Sequence, residues 1–184
     1  MIRKAQSLYL LIILAFVSCT QPQVGMRDTI AGLEEELRID TSTVINRPKT
    51  ENLISLYLEY VAEFPDDTTS PSYLFRAAEL SVAIGKYSDA LAHFSQVMRY
   101  KNSPKAGDAL FLQGFVTENY LQDPDAAQEL YQRFVREFPN HPLADDAQVL
   151  INQLGMAPEE LIRMFEQQND SQQHSHPHEH AEGQ

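Results

Sequence analysis

One stretch of this 184-residue chain occurs twice and leaves a fainter copy halfway between. Leu56–Asp66 reads LYLEYVAEFPD, and Leu130–Ala147 reads LYQRFVREFPNHPLADDA. Leu56, Tyr57, Tyr60, Val61, Glu63, Phe64 and Pro65 align with Leu130, Tyr131, Phe134, Val135, Glu137, Phe138 and Pro139, 74 residues later. Ala90, Phe94, Val97 and Met98 stand 37 residues before Ala127, Tyr131, Phe134 and Val135. A period of this size marks one supersecondary unit that buries its apolar face only by stacking on the next. That requirement excludes most folds before any single residue is considered.

The units are helical. Leu53, Leu56, Tyr57, Tyr60, Val61 and Phe64 fall at the spacing of one face of an amphipathic helix. Pro65 ends that helix, because proline cannot continue the hydrogen-bond ladder. Ser70-Pro71, Ser103-Pro104 and Asp123-Pro124 read as helix starts, with a capping side chain followed by a proline at the first helical position. His141-Pro142 and Ala157-Pro158 keep the proline with a weaker cap. These signals predict seven helices, over 50–64, 71–84, 87–101, 104–120, 124–138, 142–154 and 158–168, joined by short connections. No segment alternates with the two-residue period of a strand, so the predicted class is all-α.

Leu74–Val97 resembles the tetratricopeptide repeat. Ala78 stands at its small, close-packing position, Gly85-Lys86-Tyr87 at its tight turn, and Asp89-Ala90 and Phe94 follow at its spacing. Gly114, Ala127, Tyr131 and Pro139 match in the second copy, where Gln122-Asp123-Pro124 replaces the turn glycine. Val97 and Phe134 replace the usual later alanine. The resemblance covers about 50–155 and implies a helical-pair solenoid of about two full repeats with flanking half-repeats. Ser103–Gly114 and Arg136–Gly155 are similar to two bacterial envelope members. One is the repeat domain of the Tol–Pal-associated cell-division coordinator, and the other is the lipoprotein subunit of the outer-membrane barrel-assembly machine. In tetratricopeptide folds the first helix of each pair lines a concave face. By position, the resemblance assigns Phe75, Glu79, Phe111, Phe115, Glu118, Asn119, Val149 and Gln153 to a partner groove.

The amino end reads as an address. Arg3 and Lys4 precede the apolar run Leu8–Val17, which is too short to span a bilayer and has the form of a secretory signal over 1–18. Phe16-Val17-Ser18-Cys19 resembles the lipobox of bacterial lipoproteins, which implies acylation of Cys19. Residues 19–49 read as a tether with one short helix, striped by Met26, Ile30, Leu33 and Leu37, and Asp40–Pro48 reads as a linker. That stripe has two possible seats, the repeats or a partner helix. Thr20 lacks the aspartate that retains a lipoprotein in the inner membrane, which favours the outer membrane.

Little in the chain points to catalysis. There is no nucleophile elbow, phosphate loop or His-Glu-x-x-His motif, and the single Cys is the one expected to carry lipid. His93 and His141 read as surface or helix-end residues. The formal charge of −12, with no basic run, excludes nucleic acid as a partner class. Residues 169–184 read as a disordered tail in which His174, His176, His178 and His180 alternate, a pattern able to wrap Zn, Ni or Cu. The sequence therefore predicts a non-enzymatic, lipid-anchored periplasmic scaffold that binds a protein or peptide in a helical-repeat groove. The alternative is metal buffering or delivery through the His-rich tail.

Overall fold

The computed structural model describes residues 21–39, 44–100, 102–154, 156 and 158–173. The leader at 1–18, Cys19, and the four alternating histidines His174, His176, His178 and His180 lie outside the described residues. Eight helices and no strand occur among the described residues: α1 Gln21–Ile39, α2 Arg47–Glu63, α3 Ser70–Ala83, α4 Tyr87–Val97, α5 Ala106–Asn119, α6 Pro124–Glu137, α7 Ala144–Gln153 and α8 Pro158–Gln173. From α1 to α7 each helix packs on the next in the chain. The predicted solenoid of helix pairs is what forms.

Three apolar clusters run along it, each spanning three consecutive helices. Ile30 of α1 meets Leu53, Tyr57 and Tyr60 of α2 and Ala77 of α3. Leu74 and Ala78 of α3 pack with Phe94 and Val97 of α4 and Ala109 and Val116 of α5. Leu110 of α5, Tyr131 and Phe134 of α6, and Ala147 of α7 close the third. Each large side chain buried this way contributes about 1.5–3 kcal/mol. The repeating Tyr57/Tyr60 and Tyr131/Phe134 pairs are thus the core residues of α2 and α6.

The structure differs from the sequence expectations at several helix ends. The predicted short helix in 19–49 is a 19-residue helix docked on the repeats, with Ile30 fully buried. It supplies a first helix for α2, which the repeat alignment marks as the second helix of a pair. The Asp40–Pro48 linker stops at Asn46, whose side chain accepts from the Lys49 amide and caps α2, with Pro48 in the first turn. Ser70 does not cap α3. Its hydroxyl donates to the Phe64 carbonyl at 2.6 Å and fastens the end of α2 instead. Asp123 does cap α6, accepting from the Ala126 amide at 3.0 Å. At the carboxyl end α8 runs to Gln173, into the stretch expected to be disordered, because no proline or glycine interrupts the chain between Pro158 and Pro177.

Candidate partner-binding face

The first helices of successive pairs, α1, α3, α5 and α7, are bridged by polar side chains. The Arg76 guanidinium of α3 pairs with Glu34 of α1, and Glu34 also accepts from the Tyr57 hydroxyl. Burial and then this carboxylate push the Tyr57 phenol far above its ordinary range, so it stays a donor. Lys105, immediately before α5, places its ammonium 3.0 Å from Asp108 and 5.0 Å from the centre of the Phe75 ring on α3. Asp108 in turn lies 3.2 Å from Nε2 of His141, which is 18% exposed in the turn before α7. A polar side chain therefore reaches across each step: Arg76 to Glu34, Lys105 to the Phe75 ring, and Asp108 to His141.

The predicted groove residues divide on this face. Phe75 is 5% exposed and packs edge-on against Phe94 at 5.5 Å. Phe111 lies 5.5 Å from both Tyr131 and Phe134. These two hold helices together. Phe115, 39% exposed, and Val149, 51% exposed, present apolar surface to solvent. Glu79 and Asn119 are also exposed, Glu118 and Gln153 half-buried. Asn119 spends its amide on the Phe115 carbonyl. Glu118 accepts from the Tyr131 hydroxyl at 2.9 Å, and burial followed by this carboxylate raises the Tyr131 phenol well above the usual range. Glu79 makes no hydrogen bond among the described residues. Desolvation raises its pKa, and the nearby positive charges of Lys105 and Arg76 only partly offset that.

Sequence reasoning missed Arg76, Lys105 and Asp108. Their roles depend on partners brought close by stacking. Of the two histidines read as surface groups, His141 lies against Gly107, and His93 is half-buried with its Nδ1 unpartnered among the described residues. A cleft of about 640 Å³ opens elsewhere, over the second helices, lined by Leu91, Leu121, Leu130, Arg133 and Arg136 among others. Among the described residues no group of three or more His, Cys, Asp or Glu side chains could hold a metal, and no helix is long and apolar enough to cross a membrane.

A tetratricopeptide repeat family matches residues 108–141, which span α5, α6 and the turn to His141. No curated protein matches the chain. The match and the helix order together give the fold as an all-α, tetratricopeptide-like solenoid. Repeats of this kind are generally non-catalytic scaffolds, and their presence points to a protein partner.

Proposed function

We propose that the chain is a non-catalytic adaptor that holds a protein or peptide along the face formed by α3, α5 and α7, while acyl chains on Cys19 tether it to the periplasmic side of a bacterial outer membrane. The observation that carries the groove reading is the exposure of Phe115 and Val149 on α5 and α7, in the same row of first helices as the polar pairs Arg76–Glu34, Lys105–Asp108 and Asp108–His141. Large apolar side chains left open beside polar groups mark surfaces built for contact. The anchor reading rests on Arg3, Lys4, the apolar run Leu8–Val17 and the Ser18-Cys19 step. A role in envelope assembly rests on the likeness of Ser103–Gly114 and Arg136–Gly155 to envelope proteins. Anchoring confines the search for a partner to the membrane surface and raises its effective concentration.

The test is crosslinking in intact cells, followed by recovery from detergent-solubilised membranes and identification of the attached proteins. The Phe115→Ser, Val149→Ser double variant, confirmed as folded by circular dichroism, is expected to lose a partner that the parent captures. Retention of every partner rejects the groove. The mass of the mature amino-terminal peptide tests the anchor separately, since an unmodified Cys19 rejects it.

A further inference from the structure

α1 rests on a floor of aromatic rings at the α2–α3 end of the solenoid. Tyr73 of α3 stacks on Tyr57 at 5.1 Å and meets Tyr60 edge-on at 4.9 Å, and Phe64 lies 5.0 Å from Tyr60. Two charged groups border this floor, Asp67 in the α2–α3 turn and Arg76 on α3. α1 answers both. The Arg27 guanidinium donates to the two Asp67 oxygens at 2.7 and 2.8 Å and to the Tyr60 hydroxyl at 2.7 Å. Glu34 pairs with Arg76 and accepts from the Tyr57 hydroxyl. Arg27 and Glu34 stand two helical turns apart and so share one face, with Ile30 buried between them.

The seat is specific, but its resident is lightly held. Of the described α1 side chains only Ile30 is buried, while Met26, Leu33 and Leu37 stay half-buried. α2, by contrast, buries Leu53, Ile54, Tyr57 and Tyr60. Gly25 and Gly32 weaken α1 further. A Cβ on either would meet nothing within 4 Å among the described residues. The packing therefore does not ask for glycine, and each one makes a helix interior about fivefold less favourable than alanine would. α1 thus combines a charge match to its seat with a weak helix, the combination that lets an occupant be exchanged.

We propose that this end of the solenoid is a docking seat for a helix of a polypeptide partner, and that α1 is a resident stand-in displaced when that helix binds. The partner helix carries a basic residue, an aliphatic residue one turn on and an acidic residue two turns on, as Arg27, Ile30 and Glu34 do. Asp67 and the Tyr60 hydroxyl take the basic group, and Arg76 and the Tyr57 hydroxyl take the carboxylate. The reverse order of charges sets like against like at both places and is refused. The seat shares no residue with the groove centred on Phe115 and Val149, and the two stand or fall separately.

The experiment uses the full chain in detergent and a fluorescein-labelled peptide of the α1 sequence, Gln21–Ile39, with Gly25→Ala and Gly32→Ala to strengthen the helix. A second peptide adds Arg27→Glu and Glu34→Arg, which keeps the composition and reverses the order of charge. Binding is read by fluorescence anisotropy at about 0.15 M salt, where screening removes long-range attraction. The first peptide is expected to bind about tenfold more tightly than the reversed one. Arg27→Ala in the chain loosens the resident and leaves the seat whole, so the first peptide is expected to gain about tenfold in affinity. In that background Asp67→Asn acts chiefly on the peptide and is expected to undo most of the gain. Gly25→Ala with Gly32→Ala in the chain firms the resident and is expected to weaken the peptide about tenfold. Equal affinity for the two peptides overturns the charge-coded seat. Affinity that is indifferent to the substitutions in α1 means the peptide lodges elsewhere and overturns the proposal. No binding even to the Arg27→Ala chain makes α1 a fixed part of the fold, which also overturns it. A parent chain that dimerises in light scattering, and loses the dimer with Gly25→Ala and Gly32→Ala, gives the seat to a second copy and overturns the separate partner.

Discussion

Gln122 in the α5–α6 turn occupies the place that Gly85 occupies in the α3–α4 turn, two residues before the next helix, and both have positive φ, 56° and 77°. Glycine adopts this conformation without steric cost, whereas a residue with a Cβ does not. The turn geometry of the repeat has been kept through the loss of its glycine, and the backbone at Gln122 carries the cost.

Gln122→Gly is accordingly expected to stabilise the protein. Relief of the left-handed conformation contributes about 1–2 kcal/mol, and the greater freedom of glycine in the unfolded chain offsets part of it. A net gain of about 0.5–1 kcal/mol raises Tm by roughly 1–4 °C for a domain of this size. Gly85→Ala imposes the same strain and is expected to lower Tm. Thermal unfolding of the two variants checks both, and a fall in Tm for Gln122→Gly contradicts the strain argument.

Gly114 faces the buried ring of Tyr131. A Cβ added there would stand 2.6 Å from Cε1 and 2.8 Å from Cδ1. The ring has little room to retreat, since its hydroxyl is bonded to Glu118 and its edge packs on Phe111. Gly114→Ala is expected to cost about 1–3 kcal/mol, as overpacking of a filled core does. The denaturation midpoint in urea is the measurement, and an unchanged midpoint shows that α5 and α6 can separate without penalty.

What the sequence makes legible is whatever repeats. The Tyr57/Tyr60 and Tyr131/Phe134 pairs announce α2 and α6 as stacked second helices, and Ala78 and Gly114 mark where their partners come close. The seating of α1 was only half legible. Met26, Ile30, Leu33 and Leu37 gave its apolar stripe, but Gly25 and Gly32 weaken helix propensity and no cap marks its start. The stronger signal was logical: α2 matches second helices, so a first helix should precede it. On the candidate face, Phe75, Phe111 and Phe115 look alike in sequence. Burial separates them, because the first two point towards neighbouring helices and the third does not. Pairings such as Arg27 with Asp67 or Arg76 with Glu34 join residues about 40 apart and exist only once the helices stack.

Asp67 fastens α1 and is expected to make the fold acid-sensitive. Arg27 donates to both of its carboxylate oxygens, at 2.7 and 2.8 Å, and also to the Tyr60 hydroxyl. Burial pushes the Asp67 carboxyl up, but the bonds from Thr69 and Arg27 outweigh it and hold the pKa below the ordinary value. A carboxyl whose folded pKa is depressed stabilises the protein above its unfolded pKa, about 3.9, and loses that contribution as pH falls through the folded value. Asp67→Asn is therefore expected to be less stable than the parent at pH 7 and to lose less on acidification from pH 5 to pH 3. Hydrogen exchange adds a local readout, in which the amides of α1 exchange faster in the variant at pH 7. Identical acid profiles for the two proteins would reject the assignment.

His93 gives a second pH dependence in a different window. Its Nδ1 is buried without a hydrogen-bond partner among the described residues. Desolvation lowers its pKa from the ordinary value, against a smaller opposing effect from Asp89, one turn earlier on α4. The folded state therefore resists a proton that the unfolded chain accepts readily. Stability from this group is fully present above the unfolded pKa, about 6.5, and is lost as pH falls towards the folded value. His93→Leu removes the titrating ring and leaves His141 and the tail histidines common to both proteins. Unfolding in urea at pH 7.5, 6.0 and 5.0 is expected to show the parent weakening across the series and the variant weakening less. Parallel curves would mean that the imidazole is as well solvated in the folded protein as in the unfolded chain, which is incompatible with a buried, unpartnered Nδ1.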